Sequence, residues 1–171
     1  TNNEEIYEKA KLMRDQAKIE GRNFHRELGN NWRMTEFQAI MGLEQLRLLE
    51  QMIEMRTRVA RAYDEELSDI PKLSLMEIPP RVRPNYYKYI AFLEGYDRDK
   101  LYAEMKELGV SMGGLVYEIP LHKQPVFQHY ASESLPVSED LCSRHICPPI
   151  YPQLTEEEVS YVASCLRRCL S

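Results

Sequence analysis

The chain has 171 residues, 43% of them hydrophobic, and a net charge of -5. That is enough for one domain of ordinary size with a real core. The negative balance argues against nucleic acid as the main partner, and no apolar run approaches the ~20 residues of a membrane span.

The first residues, T-N-N-E-E-I-Y-E-K-A, are polar and immediately helical, without a signal-peptide pattern. A start at Thr1 of this kind is expected of a fragment whose beginning lies elsewhere. Four cysteines sit late, at Cys142, Cys147, Cys165 and Cys169. No pair has the C-x-x-C spacing of a zinc knuckle. They are expected to be plain thiols in a reducing cytoplasm, with no metal site.

Asn3 to Lys18 reads as a helix. Thr1, Asn2 and Asn3 can cap it, Glu4 and Glu5 suit its positive end, and Ile6, Ala10, Met13 and Ala17 mark a thin apolar face. Gly21 is expected to end it. Arg22 to Arg33 is a connector with Asn23, Gly29, Asn30 and Asn31, residue types that tolerate positive φ and can turn sharply.

Thr35 followed by Gln38 is a capping box, and the longest helical pattern in the chain starts there. Phe37, Ile40, Leu43, Leu46, Leu49 and Ile53, then Ala60, Tyr63 and Leu67, form one apolar stripe. Thirty-odd residues make a rod of roughly 50 Å, long enough to bridge two packed bodies or two subunits. Its other faces carry mixed charge and read as solvated.

Lys72 to Met76 is a short candidate strand. The run P-P-R-V-R-P-N enforces an extended loop. Tyr86 to Leu93 is the best strand by β-branched and aromatic content. Asp97 caps a helix to Leu108, which Gly109 stops. Leu115 to Tyr117 is a further strand, followed by a turn-rich loop around P-L-H-K-Q-P. Leu135-Pro136 opens a short helix near Val137 to His145. The prolines from Cys147 to Pro152 demand extended backbone. Thr155 starts the last helix, with Val159, Val162, Leu166 and Leu170 on its apolar face. The sum is an α+β fold: one long helix plus a small, mostly antiparallel sheet covered by shorter helices.

Read from the residues alone, no complete active site is present. There is no phosphate-cradling glycine motif, no H-E-x-x-H and no G-x-S-x-G. Two places stand out. His122 lies in a proline-bounded loop beside Gln124, where binding residues collect. The G-N-N-W-R-M turn sets two Asn amides and an Arg just ahead of a helix N-terminus. It could bind an anion, or its Asn side chains could serve only their own backbone.

The stretch L-G-N-N-W-R-M-T-E-F-Q-A-I-M-G-L-E-Q-L resembles L-G-Y-N-Y-R-M-T-(polar)-(apolar)-Q-A-A-(apolar)-G-(apolar)-x-Q-L of the DegT–StrS-type sugar aminotransferases. The resemblance continues through R-x-x-V-A-x-x-Y, Y-x-Y, V-Y-E-I-P-L-H-K-Q-P-V-F, L-P-V-S-E and C-P-P-I-Y-P-Q-L-T-E-E-E-V, and so covers essentially the whole chain. It implies the small C-terminal domain of a fold-type-I pyridoxal-phosphate enzyme. The activity implied is transfer of an amino group from glutamate or glutamine to a keto-sugar nucleotide. A dehydratase of the same family, or a non-catalytic dimerisation module, are the alternatives.

By the same resemblance, residues 1–20 are the trailing helix of the large cofactor domain, 21–34 an active-site turn and 35–171 the small domain with its linking helix. The Schiff-base lysine would lie upstream of Thr1, and Lys9, Lys11 and Lys18 are not that residue, so no catalytic residue is assigned. Asn31 would reach the phosphate of the cofactor, pyridoxal phosphate, in the partner subunit of a homodimer. Trp32 and Arg33 would position the turn. His122 and Tyr117 would contact the nucleotide-sugar. The pattern is broken at Asn30, where an aromatic is usual, and at Val116, where many members carry His.

Overall fold

The computed structural model of the chain describes residues 1–19, 21, 23–130 and 134–171. Arg22, at the head of the connector, lies outside the described residues. The chain divides into two compact units, Thr1–Leu48 and Leu49–Ser171.

In the first unit, α1 spans Glu4–Arg14. The Asn3 side chain caps it by accepting the Ile6 N–H at 3.0 Å. The helix stops short of Lys18. Gln16 and Ala17 adopt positive φ, 58° and 51°, and turn the chain back on itself. The apolar face expected on α1 is open: Ile6 is exposed, and the only member fully buried is Ala17, beyond the helix end. Gly21 has φ of 74° in the turn that follows and does not end the helix. Asn30 and Asn31, which tolerate positive φ, do not adopt it.

Helix α2 spans Glu36–Leu67; residues 36–48 fall in the first unit and 49–67 in the second. The capping box forms as read: Gln38 N–H donates to Thr35 Oγ1 at 3.3 Å, and Thr35 N–H to Gln38 Oε1 at 2.9 Å. The apolar stripe has two fates. Phe37, Ile40, Leu43 and Leu46 are exposed, whereas Ala60, Tyr63 and Leu67 are buried.

The second unit holds an antiparallel sheet in the order β1-β2-β3, with β1 at Leu73–Leu75, β2 at Ala91–Leu93 and β3 at His145–Ile146. Leu73 pairs with Leu93, and Ala91 pairs with Leu75 on one side and Ile146 on the other. Helices α3 (Arg98–Glu107), α4 (Pro136–Arg144) and α5 (Glu156–Leu170) complete it. One core joins Tyr63 and Leu67 of α2, Leu93, Leu101 and Met105 of α3, Ile146, and Val159, Leu166 and Leu170 of α5. The caps are local and legible: the Asp97 carboxylate accepts the Lys100 N–H at 2.7 Å, and Thr155 and Glu158 form a second capping box. Gly109 closes α3 with φ of 77°.

Two predicted strands are corrected. The run from Tyr86 to Leu93 pairs only over its last three residues. Tyr86 has φ of 45°, and the Tyr87 N–H is taken by Asn85 Oδ1 at 3.1 Å, so the chain turns there instead of laddering. Leu115 to Tyr117 is not a strand. The backbone before it bonds to side chains of other elements, as described next. The helix expected to run to His145 ends at Arg144, and His145 enters β3. All four cysteines are free thiols.

Candidate functional site

The G-N-N-W-R segment of the first unit is held by main-chain bonds to the end of α1. Asn30 N–H donates to Met13 O at 2.8 Å, Gln16 N–H to Asn30 O at 2.9 Å, and Trp32 N–H to Arg14 O at 2.9 Å. The two chains approach so closely that a Cβ on Gly29 would lie 2.3 Å from the Ala17 nitrogen. Only glycine fits there. The backbone of residues 30–32 is thereby fixed, while the side chains point outward and are exposed.

Asn31 and Arg33 are brought together. Arg33 Nε donates to Asn31 Oδ1 at 3.0 Å and stands 3.4 Å from Asp15 Oδ1, a buried oxygen with no hydrogen bond among the described residues. The Asn31 carbonyl is therefore spent on Arg33. Its amide nitrogen, with two N–H groups, has no partner among the described residues. That donor set, a fixed amide with a guanidinium beside it, suits a phosphate. Trp32 is exposed, and its side chain makes no polar contact among the described residues. Lys9 is paired with Glu27, and Lys11 lies 3.8 Å from Glu8.

In the second unit, the segment from Gly113 to Val116 is tied down by other elements. Gly113 N–H donates to Cys147 O at 2.7 Å, Lys88 Nζ to Gly114 O at 2.7 Å, and Val116 N–H to His145 Nε2 at 3.1 Å. A Cβ on Gly113 would come within 3.0 Å of Cys147 O. Burial pushes the Cys147 thiol and the Tyr102 phenol above their ordinary values, so both stay protonated in this anchor. Tyr117 follows the anchor directly and is half exposed.

His122 is 7% exposed, in a 3-10 turn at Leu121–Lys123. Its Nε2 lies 3.1 Å from Glu139 Oε1 on the first turn of α4. Lys123 pairs with the other carboxylate oxygen. The ammonium of Lys123, then the imidazole of His122, hold the Glu139 carboxyl down at about 2. Glu139 was not singled out from the sequence. It stands 17 residues from His122, and no helical or strand period links the two. The only signal available was that each falls in a motif of the resemblance, His122 in P-L-H-K-Q and Glu139 in L-P-V-S-E.

A cleft of about 770 Å³ lies elsewhere in the second unit, between Arg58 and Arg61 of α2, Arg83, Tyr86 and Ser160. It contains none of these residues. Among the described residues no group of three or more His, Cys, Asp or Glu is placed to hold a metal ion, and no helix is long and apolar enough to cross a membrane.

Comparison with known proteins gives a consistent answer. The profile of the DegT/DnrJ/EryC1/StrS aminotransferase family matches residues 1–167. The chain is 32% identical over 148 residues to a UDP-N-acetyl-3-dehydro-alpha-D-glucosamine 3-aminotransferase of Acidithiobacillus ferrooxidans, covering 85% of this chain and 38% of that protein. It is 33% identical over 139 residues to a dTDP-4-dehydro-2,3,6-trideoxy-D-glucose 4-aminotransferase of Saccharopolyspora spinosa, covering 80% and 35%. The crystal structure of a DegT DnrJ EryC1 StrS aminotransferase from Brucella abortus superposes with a TM-score of 0.85 at 32% identity, over all of this chain and 45% of that one. The chain thus spans about half the length, or less, of the relatives it matches. Across that span, the chain belongs to the DegT/DnrJ/EryC1/StrS aminotransferase family.

Proposed function

We propose that the chain is the C-terminal small-domain portion of a pyridoxal-phosphate-dependent aminotransferase that acts on a keto-sugar nucleotide, with glutamate or glutamine as amino donor. The parent works as a homodimer in the cytoplasm. Residues 1–20 trail from the cofactor domain, 21–34 form the active-site turn and 35–171 the small domain. The Schiff-base lysine and most cofactor contacts belong to the other part of the parent, and the 171-residue chain alone is inactive.

The observation that carries this reading is the state of Asn31. Its carbonyl is occupied by Arg33, its backbone is locked against α1, and its two amide N–H groups have no partner among the described residues, which leaves them to bind an anion. In the dimer these N–H groups donate to the cofactor phosphate of the partner subunit. Arg33 holds the amide orientation and adds positive charge. When bound, pyridoxal phosphate supplies the electron sink for moving the amino group. Tyr117, directly after the Gly113–Val116 anchor, and His122, paired with Glu139, contact the nucleotide-sugar.

The test is Asn31→Ala in the parent. A hydrogen bond to a charged group contributes about 1.5–3 kcal/mol, so cofactor affinity should fall roughly ten- to a hundredfold. Equal affinity and equal turnover in the variant would remove Asn31 from the cofactor site.

A further inference from the structure

Two histidines of the second unit are buried, His122 and His145, and the fold treats them oppositely. His145 Nε2 accepts the Val116 N–H at 3.1 Å, and its Nδ1 faces Leu141 O at 2.9 Å. A carbonyl only accepts, so Nδ1 carries the proton. Both nitrogens of His145 are spent on backbone. Its role is to pin the chain.

His122 uses one nitrogen. Nε2 lies 3.1 Å from Glu139 Oε1. Nδ1 has no partner among the described residues. The Glu139 carboxylate gathers three donors: Nε2–H of His122 and the Leu135 N–H, at 3.3 Å, on Oε1, and Lys123 on Oε2. Three donors on one carboxylate keep it ionised, consistent with its value of about 2. An ionised carboxylate only accepts.

From this geometry we infer that Glu139 is a positioning residue, which fixes the Nε2–H tautomer of His122 and leaves Nδ1 as a hydrogen-bond acceptor for a hydroxyl of the nucleotide-sugar. The inference rests on the reading of His122 as a substrate contact. It also gives the L-P-V-S-E motif a role, since its carboxylate orients the imidazole of P-L-H-K-Q from a different element. Lys123 is a second clip between the same turn and α4, on the other carboxylate oxygen of Glu139.

The experiment begins with the chain labelled with ¹⁵N-histidine. Long-range ¹H–¹⁵N spectra of the neutral rings distinguish the two tautomers. His122 should show a pyrrole-type Nε2 and a pyridine-type Nδ1, and His145 the reverse, with His122→Asn giving the assignment. In Glu139→Leu, His122 should move to a mixture of tautomers while His145 stays as it was, which reports that the fold persists. A wild-type His122 protonated on Nδ1 overturns the proposal, and this arm decides alone if Glu139→Leu does not fold. An unchanged His122 tautomer in a folded Glu139→Leu, whose side chain cannot accept from Nε2–H, overturns it too.

In the parent enzyme, Glu139→Leu should raise KM for the nucleotide-sugar roughly three- to tenfold, the scale of one net hydrogen bond, with kcat nearly unchanged. Lys123→Met should leave KM within twofold. Equal effects of the two variants would mean that Glu139 merely clips the turn, and would overturn the positioning role. If His122→Asn leaves KM unchanged while the tautomer shift in Glu139→Leu is seen, the substrate-contact reading of His122 fails, and Glu139 keeps only its control of the tautomer.

Discussion

The Tyr63 hydroxyl donates to the carbonyl of Pro149 at 2.9 Å, joining residues 86 apart in sequence. Tyr63 is fully buried on α2, with its ring 5.0 Å from that of Tyr89. Pro148, Pro149 and Pro152 have no N–H, so this segment cannot extend the sheet. Its carbonyl needs a donor from elsewhere, and the long helix supplies one. Tyr63→Phe leaves this part-buried carbonyl without its donor and should cost about 1–2 kcal/mol. A thermal or urea titration reads this directly. A variant as stable as wild type would mean that water or a shift of the segment replaces the bond.

Gly29→Ala should disrupt the Asn31 turn. The new Cβ would meet the Ala17 nitrogen at 2.3 Å and the Gln16 carbonyl carbon at 2.6 Å, both main-chain atoms that cannot rotate aside. Overpacking of this kind costs about 1–3 kcal/mol. Hydrogen exchange should show lost protection at the amides of Gln16, Asn30 and Trp32, which carry the bonds to the end of α1 and across the turn. Unchanged protection at all three would show that the close approach is dispensable.

The Glu139 cluster has a defined pH window. Its carboxyl lies at about 2 in the folded chain, against an ordinary value of 4.5. A depressed folded value means that the contribution is complete above the unfolded value, and is lost as pH falls through the folded one. The stability difference between wild type and Glu139→Gln should therefore be constant above about 4.5 and shrink toward about 2. Urea titrations across that range test it. A difference that grew on acidification would have the wrong sign for an ionised, paired Glu139.

The N-terminal half of α2 should make the 171-residue chain self-associate. Phe37 is 73% exposed, Leu46 65%, Ile40 58% and Leu43 57%, all on one stripe. Leu43→Glu together with Leu46→Glu should shift size-exclusion with light scattering toward the monomer. A clean monomer in the unmodified chain would contradict this expectation.

Features set by neighbours in sequence were legible. Thr35 with Gln38, Thr155 with Glu158, and Asp97 with Lys100 are local spacings whose physics is complete within one helical turn. The stripe of α2 was legible as a period, but a period does not say which half of a helix is covered. The strand expected over Tyr86 to Leu93 formed only at Ala91–Leu93, because the positive φ at Tyr86 belongs to the folded chain, not to aromatic content. The strand at Leu115 to Tyr117 failed for a related reason: His145 and Lys88 take the backbone groups that a neighbouring strand would have used. The same separation hid the link between His122 and Glu139. The residues around Asn31 could be read from the sequence only as a candidate anion site. What the sequence could not show was that Arg33 occupies the Asn31 carbonyl and leaves only its N–H groups.

The most direct measurement is amino transfer by the parent protein. The purified parent, loaded with pyridoxal phosphate, is given glutamate and a keto-sugar nucleotide, and 2-oxoglutarate is quantified beside the amino-sugar. The account predicts one 2-oxoglutarate for each amino-sugar formed, with a loss of roughly tenfold or more in Asn31→Ala at limiting cofactor. A parent that forms no amino-sugar with glutamate or glutamine, and instead removes water from the sugar, would contradict it.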